Sequence, residues 1–529
     1  MVGQFTAGSV SRNARILPTR WAMIGRAAAM SALLAGCTAV GPDYQPPQTA
    51  MPDQWQQDLV RGLPAGQVDL RSWWTSFNDP LLTELITTAN SDNLGVKEAV
   101  ARILEARARV GIASGEQLPG VDAGGEITRD RLSKGVAEGF DQSRQRTSTL
   151  YNTGLDASWE LDLWGRISRS VESADASYQA VLEDYRDVVI SLSAQVARTY
   201  VEIRTLQARI AAAQANAGTQ RKTLKLVRDR KATGLASDLE VAQAELNLAT
   251  TESLVPALQA ALQRSIHALG VLTGRRPQAL YPRFAASAPI PQPAAAITAG
   301  APADLLRRRP DIRAAERQLA AQTAQIGVAT ADLYPRFTLS GFLALQKFGA
   351  RNFFESGNIA YQFGPSMVWN VFDGGRIRSN IKAQDALTEQ ALLRYEQAVL
   401  RALQEVEDAL VDYAREIERR DLLARSVTAA RRSVQLVQNL YVTGLTDFQN
   451  VQDQERSLFQ QEDALAQSAG LVTQNLIRIY RALGGGWSPE PDKKRQPSKL
   501  PPSSQTVVAR APLPTAVVPR PAPAPRRKP

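Results

Sequence analysis

Cysteine and histidine, the side chains most often used for nucleophilic and metal chemistry, each occur once in this chain, as Cys37 and His267. One cysteine cannot close a disulfide within the chain, and one cysteine with one histidine cannot build a Cys/His metal cluster. A His-dependent catalytic triad would have to use His267, which lies in a helical stretch over 263–269. We therefore predict no catalytic site, no metal and no cofactor, which makes an enzyme the least favoured class of protein.

Cys37 stands in a setting that favours covalent modification. Basic residues precede a short apolar stretch over 27–34, and Leu34-Ala35-Gly36 leads directly into Cys37. A basic region, an apolar core and small residues at the cleavage point are typical of a secretory signal. The cysteine after them resembles the bacterial lipobox, and this resemblance implies a signal peptide over 1–36 and lipidation of Cys37. A buried structural cysteine is the alternative.

The charge is unevenly distributed along the chain. The net charge is +10, but the first 36 residues hold four arginines and no acid, and residues 488–529 hold nine basic residues against two acids. The body between these ends is close to neutral, so the composition gives no support to nucleic-acid binding. The segment 488–529 is also rich in proline, which predicts a disordered basic tail.

A tandem repeat organises the body of the chain. Residues 159–167 (WELDLWGRI) match residues 369–377 (WNVFDGGRI) at an offset of 210. Upstream, 118–121 matches 334–337 at an offset of 216, and the six-residue difference falls in a predicted loop, where changes of length are tolerated. One structural unit is therefore predicted twice: helix, strand, loop, strand, long helix, turn, helix.

Two long helices are predicted from the periodicity. Over 166–231 apolar residues recur every three or four positions without a proline, and 376–441 behaves the same way. This spacing predicts amphipathic helices, each about 100 Å long at 1.5 Å per residue. Helices of this length that pack together suggest a coiled-coil array.

Each long helix is followed by a predicted tight turn. The two turns are 210 residues apart and consist of Thr233, Gly234, Leu235 and of Thr443, Gly444, Leu445. The glycines predict left-handed C′ residues, against which the leucines pack back. Returning helices are predicted over 237–270 and 447–483, each opened by a capping box. The two boxes pair Ser237 with Glu240 and Thr446 with Gln449.

The predicted strands alternate between apolar and polar residues. They form two hairpins, at about 119–162 and 334–372. Segments of about ten residues with one apolar face are typical of transmembrane strands, although a half-buried soluble sheet has the same alternation. Aromatic residues on the apolar face favour a membrane belt, and these are Tyr151, Trp159, Tyr361 and Trp369. Four strands cannot close a membrane barrel, so the chain must oligomerise, and a dimer, trimer or tetramer would serve.

These patterns predict the following organisation of the chain. It comprises a signal peptide with lipobox (1–36), a lipidated extended segment (37–80), a first repeat (81–300), a second repeat (301–487) and the disordered tail (488–529).

Several runs outside the repeat carry a family signature. They are Val40-Gly41-Pro42-Asp43-Tyr44, Trp73-Trp74-Thr75-Ser76-Phe77, Ala303 to Glu316 (ADLLRRRPDIRAAE) and Tyr334-Pro335-Arg336-Phe337. Together with the repeats they cover roughly residues 37–487 and resemble the outer-membrane factor family, the TolC-like and OprM-like exit ducts of efflux systems. The resemblance implies an α+β membrane protein: a homotrimer whose twelve-stranded β-barrel, four strands per chain, continues into a long periplasmic α-helical barrel.

The resemblance also implies partners and a gate. The partners are outer-membrane lipid, a periplasmic adaptor protein and an inner-membrane pump of the RND type. Family gate residues fall on the stretch 450–456: Asp453 and Arg456 match the gate pattern, and Asn450 stands where some members have aspartate. Asp453 and Arg456 are also three residues apart and could simply pair on one helix face. The turn residues Thr233 to Leu235 and Thr443 to Leu445 are the expected adaptor contacts.

The predicted function is passive export of drugs or other small molecules through a gated duct, with the energy supplied by the pump. Metal-ion efflux and type I protein secretion are alternatives within the same family. A structural coiled-coil envelope protein without a pore is the alternative outside transport. The sequence holds no methionine- or histidine-rich cluster that would favour metal cargo.

Overall fold

The computed structural model describes residues 39–55, 70–131, 133, 147–292 and 302–487. The predicted signal peptide, Cys37 and the tail 488–529 lie outside the described residues, as does most of the loop between the first two strands.

The two halves of the chain repeat one order of elements. The first half contains α1 (Pro80–Asp92), α2 (Leu94–Gly115), β1 (Gly120–Arg131), β2 (Thr147–Leu161), α3 (Arg166–Ala232) and α4 (Asp238–Leu272). The second half contains a helical turn (Leu305–Arg308), α5 (Pro310–Ala331), β3 (Arg336–Phe348), β4 (Ile359–Val368), α6 (Arg376–Val442) and α7 (Phe448–Ala482). The tandem architecture predicted from the sequence is therefore confirmed, with 67 residues in each long helix.

The long helices α3 and α6 begin in the same way. Each follows a glycine in the left-handed conformation, Gly165 at φ 76° and Gly375 at φ 87°. An aspartate just upstream accepts a hydrogen bond from the N–H of the first isoleucine, at 3.0 Å for Asp162 and 2.7 Å for Asp373. First-turn N–H groups have no partner within the helix, so these carboxylates stabilise the helix start. Each outgoing strand thus passes into a long helix within a few residues.

A pair of indole groups repeats this geometry at the strand ends. Trp159 Nε1 donates to the carbonyl of Gln117 at 2.9 Å, and Trp369 Nε1 donates to the carbonyl of Leu333 at 3.1 Å. The donors are 210 residues apart and the acceptors are 216 apart. The same hydrogen bond therefore occurs in both repeats, with its donor shifted by one sequence offset and its acceptor by the other.

The four strands form one antiparallel sheet in the order β1-β2-β3-β4. In the register, Leu155 lies opposite Leu343, which lies opposite Tyr361. Because side chains alternate along a strand, the apolar residues predicted on each strand share a single face. Residues such as Tyr361 and Phe363 on that face are exposed in the single chain. Strands β1 and β4 each have one hydrogen-bonded neighbour among the described residues, so both edges of the sheet are open within that part of the chain.

The main core lies where α1, α3, α6 and α7 meet. Trp73 stacks on Tyr480 there, with ring centroids 5.0 Å apart. Arg309 is buried beside them, pairs with Asp311 and Glu405, and donates to the carbonyl of Ala482 at the end of α7. The Arg-Pro-Asp signature therefore closes the C-terminal end of the last helix. A second, smaller core lies at the hairpin turns and consists of Leu224, Val227, Ala244, Val437, Tyr441, Phe448 and Val451.

Two local expectations were wrong. Leu235 and Leu445 do not pack back on their helices but are 66% and 75% exposed. The second capping box does not form: α7 has Asp447 at its N-cap without a side-chain hydrogen bond, because the offset of 210 aligns Asp447, not Thr446, with Ser237. The first box does form, with Ser237 and Glu240 bonded reciprocally. In the described ranges, none of the helices combines the length and the apolar composition that a bilayer crossing requires.

Candidate functional site

The two hairpin turns have nearly identical backbones. Gly234 and Gly444 take φ values of 76° and 75°. The N–H of Leu235 donates to the carbonyl of Arg230 at 2.8 Å, and the N–H of Leu445 donates to that of Leu440 at 2.9 Å. This six-to-one bond defines a Schellman turn, which needs a left-handed residue and so favours glycine. Each turn therefore holds an exposed leucine at its tip.

Three side chains join the two turns, and we name them the tip clamp: Arg230, Glu240 and Tyr441. Arg230 donates to the carbonyl of Val442 at 2.9 Å, and its guanidinium lies 4.8 Å from the centroid of the Tyr441 ring. The Tyr441 hydroxyl donates to Glu240 Oε2 at 2.6 Å. Burial and the bond to Glu240 raise the pKa of Tyr441. Burial opposes ionisation of Glu240, but hydrogen bonds from Tyr441 and Ser237 outweigh it and lower the pKa of that carboxyl.

The predicted gate residues lie on the first turns of α7, next to this clamp. Asp453 and Arg456 are about half exposed, with 3.8 Å between Oδ1 and Nη1. The structure thus brings these two together, as expected for a pair three residues apart. Gln449 also donates to Asp453 at 3.3 Å. Asn450 is directed elsewhere, since its amide donates to the hydroxyl of Thr446 at 2.9 Å.

A buried glutamate lies between the two residues of this pair in the sequence. Glu455 is 3% exposed, and its Oε1 accepts from the hydroxyl of Thr223 at 2.6 Å and from the amide of Gln438 at 3.0 Å. Asn247 approaches Oε2 at 3.5 Å. We name these four residues the polar layer. They come from α3, α4, α6 and α7, so one carboxyl connects every helix of the two hairpins.

The polar layer contains neutral partners for an acidic group. Burial raises the pKa of Glu455, while the bonds from Thr223 and Gln438 partly oppose this rise. Gln220, one helical turn before Thr223 and on the same face of α3, has a buried Oε1 with no hydrogen-bond partner among the described residues. A buried acceptor without a donor destabilises its surroundings. Ionisation of Glu455 would place a charge in this buried layer, which burial disfavours.

Sequence reasoning missed the tip clamp and the polar layer. The helix periodicity identifies Tyr441 only as the end of a long helix, and the gate pattern singles out Asp453 and Arg456 but not Glu455 between them. The repeat contains a signal for this difference. At an offset of 210, Tyr441 is equivalent to Lys231 and Gln438 is equivalent to Arg228. The loss of two charges at matched positions marks a place where the two hairpins differ in role.

The remaining predicted residues are placed as follows. Cys37 lies outside the described residues. His267 is in α4, and its ring is hydrogen-bonded to the hydroxyl of Tyr281, so it has a structural partner. No group of three or more metal-ligating side chains occurs in the described ranges.

Comparisons with known proteins agree on one family. The sequence profile of the outer membrane efflux protein family matches residues 85–275 and 301–485, one segment for each repeat. Nodulation protein T from Rhizobium leguminosarum bv. trifolii is 32% identical, over 87% of this chain and 96% of its own length. The pyoverdine export outer membrane protein OpmQ from Pseudomonas putida is 34% identical, over 83% and 92%. The solved structure of the outer-membrane channel OprN is 37% identical with a TM-score of 0.78, covering 85% of this chain and all of that one.

Paired strand hairpins joined to long helical hairpins, with a cluster of polar contacts at the turns, define an outer-membrane channel of an efflux system. The chain belongs to the outer membrane efflux protein family.

Proposed function

We propose that three copies of this chain form the gated, lipid-anchored exit duct of a three-part efflux pump. Four strands from each copy close a twelve-stranded β-barrel in the outer membrane, and the long helices form a tube through the periplasm. The observation that carries this proposal is the sheet: it has one exposed apolar face, two open edges and a pair of long helices at the same end. Open edges and an apolar face are stable in lipid only when the sheet is closed.

The apolar face has the dimensions of a membrane belt. Trp159, at the helix end of the sheet, and Tyr151, near the loop end, are eight positions apart. This is roughly 27 Å along the strand and roughly 21 Å in height at a strand tilt of about 40°. Apolar bands of membrane barrels are about 25 Å tall and are flanked by aromatic residues. The choice of three copies, rather than two or four, follows the family resemblance.

The described N-terminal segment supports a lipid anchor on Cys37. Val40 donates its N–H to the carbonyl of Trp164 at 3.0 Å, and Arg169 pairs with Asp43 at 2.6 Å. Ala39 lies so close to Gly165 that a side chain there would overlap with it. Cys37 is two residues earlier, within roughly 7 Å of Ala39 at full extension. An acyl chain on Cys37 would therefore enter the membrane beside the strand–helix junction, at the level of the Trp159 belt.

The gate of the proposed duct is at the hairpin turns. Three copies of Asp453 around an axis would form an acidic ring that attracts cations, and Arg456 and Asn450 lie on the same turns of α7. The exposed turn residues around Leu235 and Leu445 would contact the periplasmic adaptor, which joins the duct to an inner-membrane pump of the RND type. Cargo would be small organic molecules, as for the pyoverdine exporter among the relatives.

Single-channel conductance in a planar bilayer tests the duct and its gate together. The Asp453→Asn, Arg456→Gln double variant should conduct several-fold more than the natural chain, because the charged pair that closes the tip is neutralised. A matched control is Arg415→Gln, Glu418→Gln, which neutralises another exposed pair three residues apart on α6. Equal conductance of the natural chain and the tip variant would remove the gate assignment, and no conductance from any variant would remove the duct.

The anchor and the adaptor contact have separate tests. A Cys37→Ser variant should lose incorporation of labelled palmitate, and retained labelling would exclude this anchor. A photo-crosslinking residue at Leu445 should capture the adaptor in cells, whereas the same residue at Arg415, on the shaft of α6, should not. Equal capture from both positions would remove the turns as the contact.

A further inference from the structure

The strands of this chain separate their charges by face. The register pairs even-numbered residues with even-numbered ones across the sheet, so these share one face, the polar one. All five acids of the four strands lie on it: Asp122, Glu126, Asp130, Asp156 and Glu160. Three of the four basic residues are odd-numbered and lie on the apolar face: Arg129, Arg131 and Lys347. The fourth, Arg336, is on the polar face at the helix end.

The three basic residues also cluster at one end of the sheet. Lys347 lies opposite Tyr151, which lies opposite Ile127, so the lysine is level with the aromatic belt. Arg129 is two residues beyond Ile127, and Arg131 is two residues further. From the spacing of strands and residues, the Cα atoms of Lys347 and Arg129 are roughly 12 Å apart. Long side chains from these positions can reach one doubly charged group.

Two of the three basic residues are fully accessible to a partner, and Lys347 is half-buried. Arg129 and Arg131 are exposed and have no ion-pair partner within the described part of the chain. Lys347 donates to the carbonyl of Asn352 at 3.2 Å and lies 3.9 Å from Glu355, which is 60% exposed. The apolar residues beneath them, such as Ile127 and Leu343, are exposed in the chain.

We propose that Arg129, Arg131 and Lys347 form a binding site for an outer-leaflet lipid whose headgroup carries phosphate groups. The inference rests on the proposed function, which places the apolar face in lipid and the loop end outside the cell. Acyl chains would then lie along Ile127, Leu343 and Tyr361, and the headgroup phosphates would reach the arginines. Arginine matches phosphate geometry with paired N–H donors, and long basic side chains extend from an apolar surface to the interface. The strands place no acid on this face, and Glu355, in the loop after β3, would have to turn away from Lys347 for the lysine to reach the headgroup.

Lipid retention by the purified full-length trimer tests the site. The probe is diphosphoryl lipid A, compared with the same lipid after phosphatase treatment, with bound copies counted by native mass spectrometry. The natural chain should bind the phosphorylated form preferentially. The Arg129→Gln, Arg131→Gln, Lys347→Gln variant should bind it roughly a hundredfold more weakly, as expected for three charges near a surface. Asp130→Asn, on the same strand but the opposite face, and Arg336→Gln, at the opposite end, should bind like the natural chain.

Three results would overturn the site: equal binding of both lipids, full retention by the triple variant, or an equal loss in Arg336→Gln. If the triple variant fails to assemble, the single variant Arg131→Gln, at the exposed end of β1, is tested instead. It should bind the phosphorylated lipid more weakly than the natural chain does. Conductance measured in phospholipid bilayers separates the two proposals. If the triple variant conducts normally and still binds the lipid like the natural chain, the site alone is contradicted. If the natural chain does not conduct at all, the duct is contradicted.

Discussion

The two helical hairpins, α3–α4 and α6–α7, are copies of one structural repeat, yet their turns are stabilised differently. Three ion pairs link α3 and α4: Arg221 with Glu252, Arg228 with Glu245, and Lys231 with Asp238. At an offset of 210 the second hairpin has Arg431 with Glu462, Gln438 with Glu455, and Tyr441 with Phe448. Only the first of these is an ion pair, at 2.7 Å. Towards its turn, the second hairpin has replaced charged pairs by neutral and aromatic ones.

The replaced residues connect the hairpins to each other instead. Gln438 and Glu455 belong to the polar layer, which reaches Thr223 in the first hairpin. Tyr441 contacts Phe448 within its own hairpin and Glu240 across to the other. Near the turns, the first hairpin is thus linked by its own ion pairs, whereas Tyr441 and Glu455 of the second also reach across to the first. In the proposed duct, breaking the contacts between the hairpins would free the turn of the second one, which is the movement that a gate at this end requires.

The largest effect is expected from Tyr441→Phe, which removes one atom from the tip clamp. The lost bond joins a hydroxyl to a carboxylate, and such bonds contribute about 1.5–3 kcal/mol. The closed arrangement should weaken by about this amount, and single-channel conductance should rise. Tyr413→Phe on the same helix, whose ring packs against the main core, is the matched control. An unchanged conductance in Tyr441→Phe would show that the hairpins are not held by this clamp.

The second prediction concerns pH. Because burial raises the pKa of Glu455, the carboxyl binds a proton more readily in the closed arrangement than when water reaches it. The closed arrangement is therefore favoured at pH below the ordinary carboxyl pKa and loses this stabilisation as the pH rises through the raised value. Conductance should rise with pH over that window. The neighbouring charges Asp453 and Arg456 are half exposed and pair with each other.

Glu455→Gln should flatten this pH profile, since the amide keeps an oxygen for Thr223 and Gln438 but cannot ionise. Its counterpart in the first repeat, Glu245→Gln, should leave the profile unchanged, because Glu245 is on the surface and paired with Arg228. Equal flattening by both variants would remove the polar layer as the source of the pH dependence.

The elements were predictable from the sequence because their signals are local. The spacing of apolar residues placed α3 and α6 within a residue or two of their ends, and the glycines at 234 and 444 placed the turns. The contacts at the turns were not predictable in the same way. Tyr441 meets Glu240 across 201 residues of sequence, and only the packing of the two hairpins brings them together. Burial of Glu455 depends on four helices at once, whereas its counterpart Glu245 is exposed.

The third prediction concerns substitutions that give the start of α7 the capping residues found at the start of α4. Asp447 and Asn450 occupy the positions of Ser237 and Glu240, and Asp447 makes no side-chain cap. Asp447→Ser with Asn450→Glu should install a capping box and stabilise the start of α7 by about 1 kcal/mol. The closed state should become harder to open, with lower conductance and a higher thermal midpoint. A conductance equal to that of the natural chain would show that the start of α7 does not move on opening.

The smallest effect is expected from Arg228→Gln, which gives the first hairpin the residue that the second has at this position. The Arg228–Glu245 pair is more than half exposed on average, with side-chain exposures of 57% and 50%, and exposed ion pairs contribute about 0.2–1 kcal/mol. Thermal unfolding should shift slightly, and the shift should vanish in high salt because exposed charges are screened. Conductance should stay unchanged, since this pair lies within one hairpin. A rise in conductance as large as that of Tyr441→Phe would mean that both hairpins move together, and the contrast between a fixed and a released hairpin would be lost.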